Sequence, residues 1–300
     1  MAQFKRIIRL TVGQPGKDGV VIEHLRISFD IDKDLTQQTN KCNVKIYNLA
    51  PETRKKIERP DSVCILEVGY AEGAGLRRIF VGAITQAWTG DVGADAVTEL
   101  EMSDGQVAIR DSVISLGYSA GTNGSKVVHD IAAQMGLILH IADDVAFEDY
   151  PNGFSYAGYA KTALDKVCSA SGATWSIQNN ELQVIMGGGT TGIRALVFSA
   201  SSGLIGSPER IVRGVKRADS DKEETKKKKR KVKKKDKQEK KAGWKIKTLL
   251  APTVNPGDAT RVESRTVTGW FRVETLKHSG DTHGNEWYTE HELIEVILDE

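Results

Sequence analysis

The sequence has no apolar run of about 18 residues, the length that a membrane-spanning helix needs. Its N-terminus, Met1-Ala-Gln-Phe-Lys5, also lacks the apolar core of a secretory signal. Cysteine is scarce: Cys42, Cys64 and Cys168 are odd in number and widely spaced, which excludes a disulfide framework and a Cys-x-x-Cys metal site. We therefore expect a chain without a membrane span that folds in the cytosol, with reduced thiols packed as small apolar side chains.

The net charge is also small, but the total of +2 is the sum of two regions with opposite net charge. Residues 219–241 hold 13 Lys and Arg against 6 Asp and Glu, which leaves 29 basic against 34 acidic residues elsewhere. The rest of the chain is thus mildly acidic, and one segment carries the basicity. Val232 is the only aliphatic residue of that segment, so the segment cannot bury an apolar face of its own.

The chain has the composition of a globular protein, with 39% hydrophobic and 27% charged residues, and its 300 residues suggest two or three domains. In the first third, apolar and polar residues alternate, which is the pattern of half-buried strands. An early proline and helical spacing predict one short helix over 50–57. The strands predicted here are 25–31, 42–46, 63–70, 79–88 and 98–102, with a turn at 72–75.

The middle of the chain has a different pattern. Ser125 is expected to cap a helix over 126–134 that ends at Gly136, since a hydroxyl there accepts an otherwise unpaired amide. These features indicate a small α/β insert over about 116–190. Its other predicted elements are a helix over 160–170, a hairpin of 173–177 and 182–184 that turns at Asn179-Asn180, and an exit hinge at Gly187-Gly188-Gly189.

Strand patterns return after the insert. Turns at Pro252, Pro256 and Ser279 separate them, because proline, glycine and serine interrupt β-structure. We predict a second β-domain that surrounds the basic segment. Its strands are expected at 196–198, 210–215, 245–250, 261–266, 270–276 and 286–296.

One motif suggests a serine hydrolase. Gly117-Tyr-Ser119-Ala-Gly121 matches the Gly-x-Ser-x-Gly nucleophile motif, which requires a strand before the serine and a helix directly after it. Thr122-Asn-Gly124 delays the helix. We interpret the motif as a flexible domain junction and keep a hydrolase centred on Ser119 as an unfavoured alternative.

Other side chains suggest metal, sugar or nucleotide chemistry, and each has a simpler interpretation. His278, Asp281, His283 and His291 suit zinc but show no ligand spacing, so a hydrogen-bonded hairpin loop is preferred, with metal binding by His278 or His283 left open. The acidic residues of 143–149 fit a solvated loop better than a glycosidase pair. We predict no catalytic residue, cofactor or metal site. Packing in the core or between subunits is expected for Trp88, Trp175, Trp270 and Trp287.

Two sets of residues are more informative together than any single motif. The first is Cys42-Asn-Val-Lys-Ile-Tyr-Asn-Leu49 with Arg54, Ile57, Leu66-Glu-Val-Gly-Tyr70 and Ile79-Phe-Val-Gly-Ala-Ile84. It resembles the tube-like domains of contractile-phage baseplate proteins. The second set resembles the end of a baseplate hub protein: Leu249-Leu-Ala-Pro252, Pro256-Gly257, Gly269-Trp-Phe-Arg-Val273, His278-Ser-Gly-Asp281 and Trp287-Tyr-Thr289. The combination resembles the late control protein D-like tail-hub family, which is related to the N-terminal domains of type VI secretion spikes.

The resemblance implies an α+β, mainly β fold. Two tube-type β-barrel or sandwich domains would occupy residues 1–115 and 191–300, with the small α/β insert at 116–190 between them. The second β-domain would be interrupted by the lysine-rich insertion 217–242, which is not a recognised element of the family.

The resemblance also implies a structural virion protein without enzymatic activity. Three copies would form a homotrimeric hub, in which two related β-domains per chain make a pseudo-sixfold ring between the hexameric tail tube and the trimeric central spike. The implied partners are the chain itself, the tail tube or a tube-initiator protein, the spike, the baseplate wedge proteins and, as a further candidate, the tape-measure protein. The location would be the baseplate of the virion tail, after assembly in the host cytoplasm.

The lysine-rich segment is the open question. A solvated arm, docking on an acidic protein surface and nonspecific contact with DNA phosphates are all compatible with its charge. A nucleic-acid-binding protein that acts through residues 222–241 is therefore the second hypothesis. The candidate contact residues are Lys226, Lys227, Lys228, Lys229, Arg230, Lys231, Lys233, Lys234 and Lys235.

Overall fold

The computed structural model of the chain describes residues 4–14, 16–17, 19–59, 62–73, 75–213 and 241–296. Among them, four helices occur: α1 (Pro51–Ile57), α2 (Gln106–Asp111), α3 (Gly124–Met135) and α4 (Ala160–Ala170). The strands are β1 (Phe4–Gly13), β2 (Val20–Ile22), β3 (Ile27–Asp34), β4 (Lys41–Tyr47), β5 (Val63–Glu72), β6 (Gly75–Val92), β7 (Asp95–Ser103), β8 (Val113–Tyr118), β9 (Thr122–Asn123), β10 (Ile138–Ile141), β11 (Asp149–Tyr150), β12 (Phe154–Tyr159), β13 (Ala173–Gln178), β14 (Glu181–Met186), β15 (Arg194–Ser199), β16 (Leu204–Arg213), β17 (Lys241–Leu249), β18 (Ala259–Glu263), β19 (Thr268–Asp281) and β20 (Trp287–Glu295). None of the described helices is long and apolar enough to cross a membrane.

Thirteen of the described strands form one sheet. Its main path is β16-β17-β20-β19-β3-β4-β7-β6-β5-β1-β2, and β18 and β15 extend it from β19. The path is open at both ends, so these strands form an open sheet and not a closed barrel. The expected fold class, α+β and mainly β, is confirmed.

Three clusters of buried apolar side chains lie in succession along the chain. The first packs β1 and β5 against β3, β4 and β7, and includes Ile57 of α1. The second lies around Trp175, between α3, α4, β13 and β14, and the third lies around Phe198 and Phe271. Trp287 of β20 belongs to the first cluster, so the end of the chain contributes to the core of its beginning. The division into 1–115, 116–190 and 191–300 stays a prediction.

The β-rich parts at the two ends of the chain are joined by β3 and β19. These strands pair antiparallel in a continuous register from Thr275 opposite Asp34 to Asp281 opposite Ser28. Side chains reinforce the contact: the Arg26 guanidinium donates to Asp281 Oδ2 at 2.7 Å, and Ser279 Oγ donates to Asp30 Oδ1 at 2.7 Å. The Arg26 contact also keeps the pKa of Asp281 below its usual value, against the effect of burial. The two parts therefore share main-chain hydrogen bonds and are not merely in side-chain contact.

Residues 116–190, the predicted insert, contain the two longest helices of the described chain, α3 and α4. The predicted helix over 160–170 and the turn at Asn179-Asn180 are confirmed, and both asparagines have positive φ, as a type I′ hairpin requires. One prediction is wrong: Ser125 is not the N-cap. The helix begins at Gly124 and Asn123 caps it, because the Asn123 side chain accepts from the Ser125 amide at 2.9 Å.

A buried lysine connects the insert to both β-rich parts. Lys33 Nζ on β3 donates to Oδ1 of Asn179 in the β13–β14 turn at 2.9 Å and to Oδ1 of Asn255 at 3.2 Å. Asp104 accepts hydrogen bonds from the amides of Asn179 and Asn180, and it is as buried as the lysine. These polar contacts fix where the hairpin lies against the main sheet.

Candidate assembly interface

The residues of the nucleophile motif do not form a catalytic arrangement. Ser119 is exposed, in the turn after β8, and α3 begins only at Gly124, after the short strand β9. Its backbone carbonyl accepts from Thr122 Oγ1 at 2.9 Å. Within the described residues no hydrogen bond joins Ser119 Oγ to a histidine, and His129 points to solvent from α3.

The histidines lie deeper than the expected hairpin loop. His278 on β19 and His291 on β20 are fully buried, and each has one ring nitrogen on a threonine: His278 Nδ1 lies 2.8 Å from Thr289 Oγ1, and His291 Nε2 lies 2.9 Å from Thr248 Oγ1. Burial lowers the pKa of His291 to about 3 and that of His278 well below its ordinary value, so both rings are neutral. Across the described ranges, no three His, Cys, Asp or Glu side chains are placed to hold a metal.

The remaining predicted side chains are distributed between core and surface. Trp175 and Trp287 are buried, whereas Trp88 on β6 is 39% exposed. The acidic residues Asp143 and Asp144 are exposed, as expected of a solvated loop. The nine predicted contact residues lie outside the described residues: Lys226, Lys227, Lys228, Lys229, Arg230, Lys231, Lys233, Lys234 and Lys235.

The main sheet contains the same four-strand arrangement twice. We name β3-β4-β7-β6 the first sheet unit and β16-β17-β20-β19 the second sheet unit; both are antiparallel throughout. Each ends in its longest strand, and both long strands have a register shift at the same place, between Ile84 and Gln86 on β6 and between Val273 and Thr275 on β19. In both units the N-terminal half of the long strand pairs with a further strand, β5 or β18. The two units are therefore equivalent in topology and in local irregularity.

Comparison of the two sheet units identifies two strand edges that are paired in one unit and, in the described ranges, unpaired in the other. The C-terminal half of β19 binds β3, but the equivalent half of β6, residues 86–92, has no strand partner on that edge among the described residues. Likewise β3 binds β19, but the equivalent strand β16 pairs only with β17 in the described chain. Exposed apolar side chains lie on these edges: Trp88 (39%), Val92 (61%) and Ile205 (40%). An unpaired strand with exposed apolar groups is a template for another chain.

One face of both sheet units is polar. On it, Lys45 Nζ of β4 lies 3.0 Å from Glu99 Oε1 of β7, and Lys245 Nζ of β17 lies 2.8 Å from Glu290 Oε2 of β20. The hydrogen bond from Lys245 lowers the pKa of Glu290. Trp88 lies opposite Glu99 on this face, so an exposed indole interrupts an otherwise charged surface. The opposite face packs on the apolar clusters.

Comparison with known proteins gives one family. The family model described as baseplate hub gp41 matches residues 7–218. No curated protein matches the sequence significantly.

Several solved structures share the fold. A tail protein from Neisseria meningitidis MC58 matches with a TM-score of 0.61 and 14% identity, and 96% of each chain is covered. The 43 kDa tail protein of prophage MuSo2 from Shewanella oneidensis matches with a TM-score of 0.63 and 11% identity over 97% of this chain and 98% of that chain. An Escherichia coli component of the type VI secretion system is described as structurally similar to the tail proteins gp27 and gp5 of bacteriophage T4. It matches with a TM-score of 0.57 and 10% identity over 95% of this chain and 77% of that chain. At these identities the likeness concerns the fold.

Proposed function

Because this chain belongs to the baseplate hub gp41 family, which consists of structural phage-tail proteins and not of enzymes, we propose that it forms the hub ring of a phage baseplate as a homotrimer. Family membership places the protein in the tail baseplate of the virion. It does not favour the hydrolase centred on Ser119 or the nucleic-acid-binding protein acting through residues 222–241.

The observation that supports the ring is the repeated sheet unit. The two units pair edge to edge inside one chain through β3 and β19. The two edges that remain, on β6 and β16, are the equivalents of β19 and β3. If the same contact is repeated between copies, each copy uses two different edges, and the copies form a closed ring once their rotations sum to a full turn. Three chains supply six units. An obligate contact of this kind buries about 2,000 Å² or more in total.

The proposed ring would match two symmetries. Six equivalent sheet units would face a hexameric tail tube or its initiator protein, whereas the insert occurs once per chain and would present threefold symmetry to a trimeric spike. The type VI secretion component among the solved structures is described as similar to the T4 tail proteins gp27 and gp5, and its shared fold over 95% of this chain is compatible with a place in such a tail assembly. The baseplate wedge proteins and the tape-measure protein are the other proposed partners.

The polar face of the sheet units is proposed to line the central channel. The apolar clusters and the insert lie against the other face, so the charged face with the Lys45–Glu99 and Lys245–Glu290 pairs is left for solvent. A channel wall with both signs of charge and few apolar groups would let a charged polymer pass without binding it tightly.

The oligomeric state tests the proposal. We expect light scattering after gel filtration, at micromolar concentration, to give three times the monomer mass, and averaged electron micrographs to show a ring with six similar lobes. A chain that stays monomeric at that concentration, or a dimer, would overturn the hub. Addition of the spike protein of the same phage is then expected to give a complex of three copies of each.

A further inference from the structure

We propose that the ring closes through main-chain pairing between copies, in which residues 86–92 of β6 bind β16 of the next copy in the register that β19 and β3 use within the chain. The inference rests on the proposed trimer and names its interface. It follows from the equivalence of the two sheet units. The second unit binds the first through β19 and β3, whereas the equivalent strand segments, residues 86–92 of β6 and β16, have no such partner in the described chain.

The register can be transferred residue by residue. Counted from the shared irregularity, Gln86 of β6 is equivalent to Thr275 of β19, since each is the first paired residue after the shift. Trp88 is therefore equivalent to Lys277, and Val92 to Asp281. From these residues on, β6 pairs with β7 up to Val92, and β19 pairs with β20 up to Gly280, without a further register shift.

The partner strand is aligned in the same way through its neighbours. Glu209 pairs with Lys245 of β17 as Asp30 pairs with Asn43 of β4, and Ile211 pairs with Gly243 as Asp32 pairs with Lys41. Ile211 is therefore equivalent to Asp32. By the same alignment Ile205, opposite Lys247, is equivalent to Ser28, opposite Lys45.

The transferred register brings apolar side chains together. Within the chain, Lys277 lies opposite Asp32 and Asp281 lies opposite Ser28. Between copies, the equivalent pairs are Trp88 with Ile211 and Val92 with Ile205. Trp88, Val92 and Ile205 are 39%, 61% and 40% exposed in the single chain. This alignment depends on main-chain pairing alone, so the meeting of four apolar side chains, three of them exposed in the single chain, is independent support for it.

The shape of β16 limits what else can bind there. The register between Ile205 and Glu209 shifts around Gly206 and Pro208, and the proline has no amide hydrogen to donate. Pairing is therefore divided into a short segment at 204–205 and a longer one at 209–213. Bulges and prolines on edge strands prevent open-ended aggregation, which fits an edge reserved for one partner strand.

Paired cysteines test the register. Residues directly opposite on antiparallel strands have Cβ atoms about 5 Å apart, whereas diagonal neighbours are about 7–8 Å apart, too far for a disulfide. We expect the double variant Trp88→Cys, Ile211→Cys to give, after mild oxidation, a covalent trimer on a non-reducing gel, and each single variant to give none. The native thiols of Cys42, Cys64 and Cys168 are buried and do not compete.

Two matched double variants complete the test. Lys277→Cys with Asp32→Cys reproduces the same geometry inside one chain, so oxidation is expected to change its mobility without a change of mass. Trp88→Cys with Glu209→Cys shifts the register by two residues and is expected to give no covalent trimer. If only the shifted pair crosslinks, the register is wrong. A wild-type trimer in which neither pair crosslinks overturns the strand pairing but leaves the hub ring standing, whereas a wild-type monomer overturns both.

Discussion

The Lys33 ammonium on β3 lies 2.9 Å from Oδ1 of Asn179 in the hairpin turn of the insert. Lys33 is only 2% exposed, and burial lowers its pKa to about 8, with the nearby Asp104 carboxylate acting in the opposite direction. Burial also raises the pKa of Asp104, so the two groups are each costly alone and compensate one another together.

We expect Lys33→Met to lower the free energy of unfolding by about 3 kcal/mol at pH 7, because Asp104 then loses its buried cation. Urea unfolding measures the change. The double variant Lys33→Met, Asp104→Asn removes both charges and is expected to recover part of the loss. Equal instability of the single and double variants would mean that Lys33 acts through packing and not through charge.

The buried His291 predicts sensitivity to acid. Its pKa is about 3 in the folded chain and about 6.5 when unfolded, so the unfolded state binds more protons between these values. Stability therefore falls as pH is lowered from 6.5 towards 3, by about 2 kcal/mol at pH 5 for this one group. His291→Gln, which keeps an amide near Thr248, is expected to flatten the pH dependence of urea unfolding. His129→Gln, the same substitution at an exposed position on α3, is the matched control.

Gly280 is expected to be intolerant of a side chain. A Cβ at this position would lie 2.5 Å from Cε1 of Phe29 and 3.0 Å from Cε3 of Trp287, two rings that pack edge to face at 5.7 Å. Gly280→Ala should therefore cost about 1–3 kcal/mol in the free energy of unfolding. Gly117→Ala is the control, since a Cβ at this position on β8 meets no atom within 4 Å, and thermal unfolding should show no loss. Equal loss in both variants would point to strand propensity instead of crowding.

Introducing a charge at Trp88 tests the proposed contact between β6 and β16 in solution. Trp88→Lys copies the Lys277 found at the equivalent place of the second sheet unit, so it should not disturb folding, but it places a charge opposite Ile211 of the next copy. We expect the trimer to dissociate at a concentration at least about tenfold higher than the wild type, as a penalty of roughly 1.4 kcal/mol implies. Sedimentation at several concentrations measures this.

Adding Ile211→Asp to Trp88→Lys recreates across the interface the pair that Lys277 and Asp32 make within the chain. This double variant is expected to recover most of the lost association. Ile138→Lys is the control, because Ile138 lies on the insert and is 70% exposed. Loss of the trimer in Ile138→Lys, or its full retention in Trp88→Lys, would contradict the proposed edge.

Local patterns predicted much of the secondary structure. The alternation of Ile27, Phe29 and Ile31 gave the position and inward face of β3. The turn predicted at Ser279 is wrong, because β19 continues through it to Asp281 and pairs with β3 there. The same alternation contained a signal that sequence reasoning missed: Lys33 continues the inward phase of the strand and is buried. A lysine at the inward position of a strand indicates a buried polar contact that is worth seeking.

Pairings between distant residues were beyond local patterns. The contact of β3 with β19 joins residues about 250 positions apart in the sequence, and their alternation is equally compatible with many other neighbours. His278 lies opposite the buried Ile31 in that contact, so part of its surroundings comes from a strand far away in the sequence. The exposed position of Trp88 was not decided by the sequence either, because packing in a core and packing between subunits favour the same residue type.

The closing pair of β16 and β17, Arg213 opposite Lys241, sets the two ends of the intervening chain side by side. Hairpin connections tolerate changes of length because the cost of closing a loop grows only slowly with the number of residues. A peptide tag inserted between these two residues would leave both strands in register, and in the proposed ring it would be displayed at three points spaced evenly around the axis.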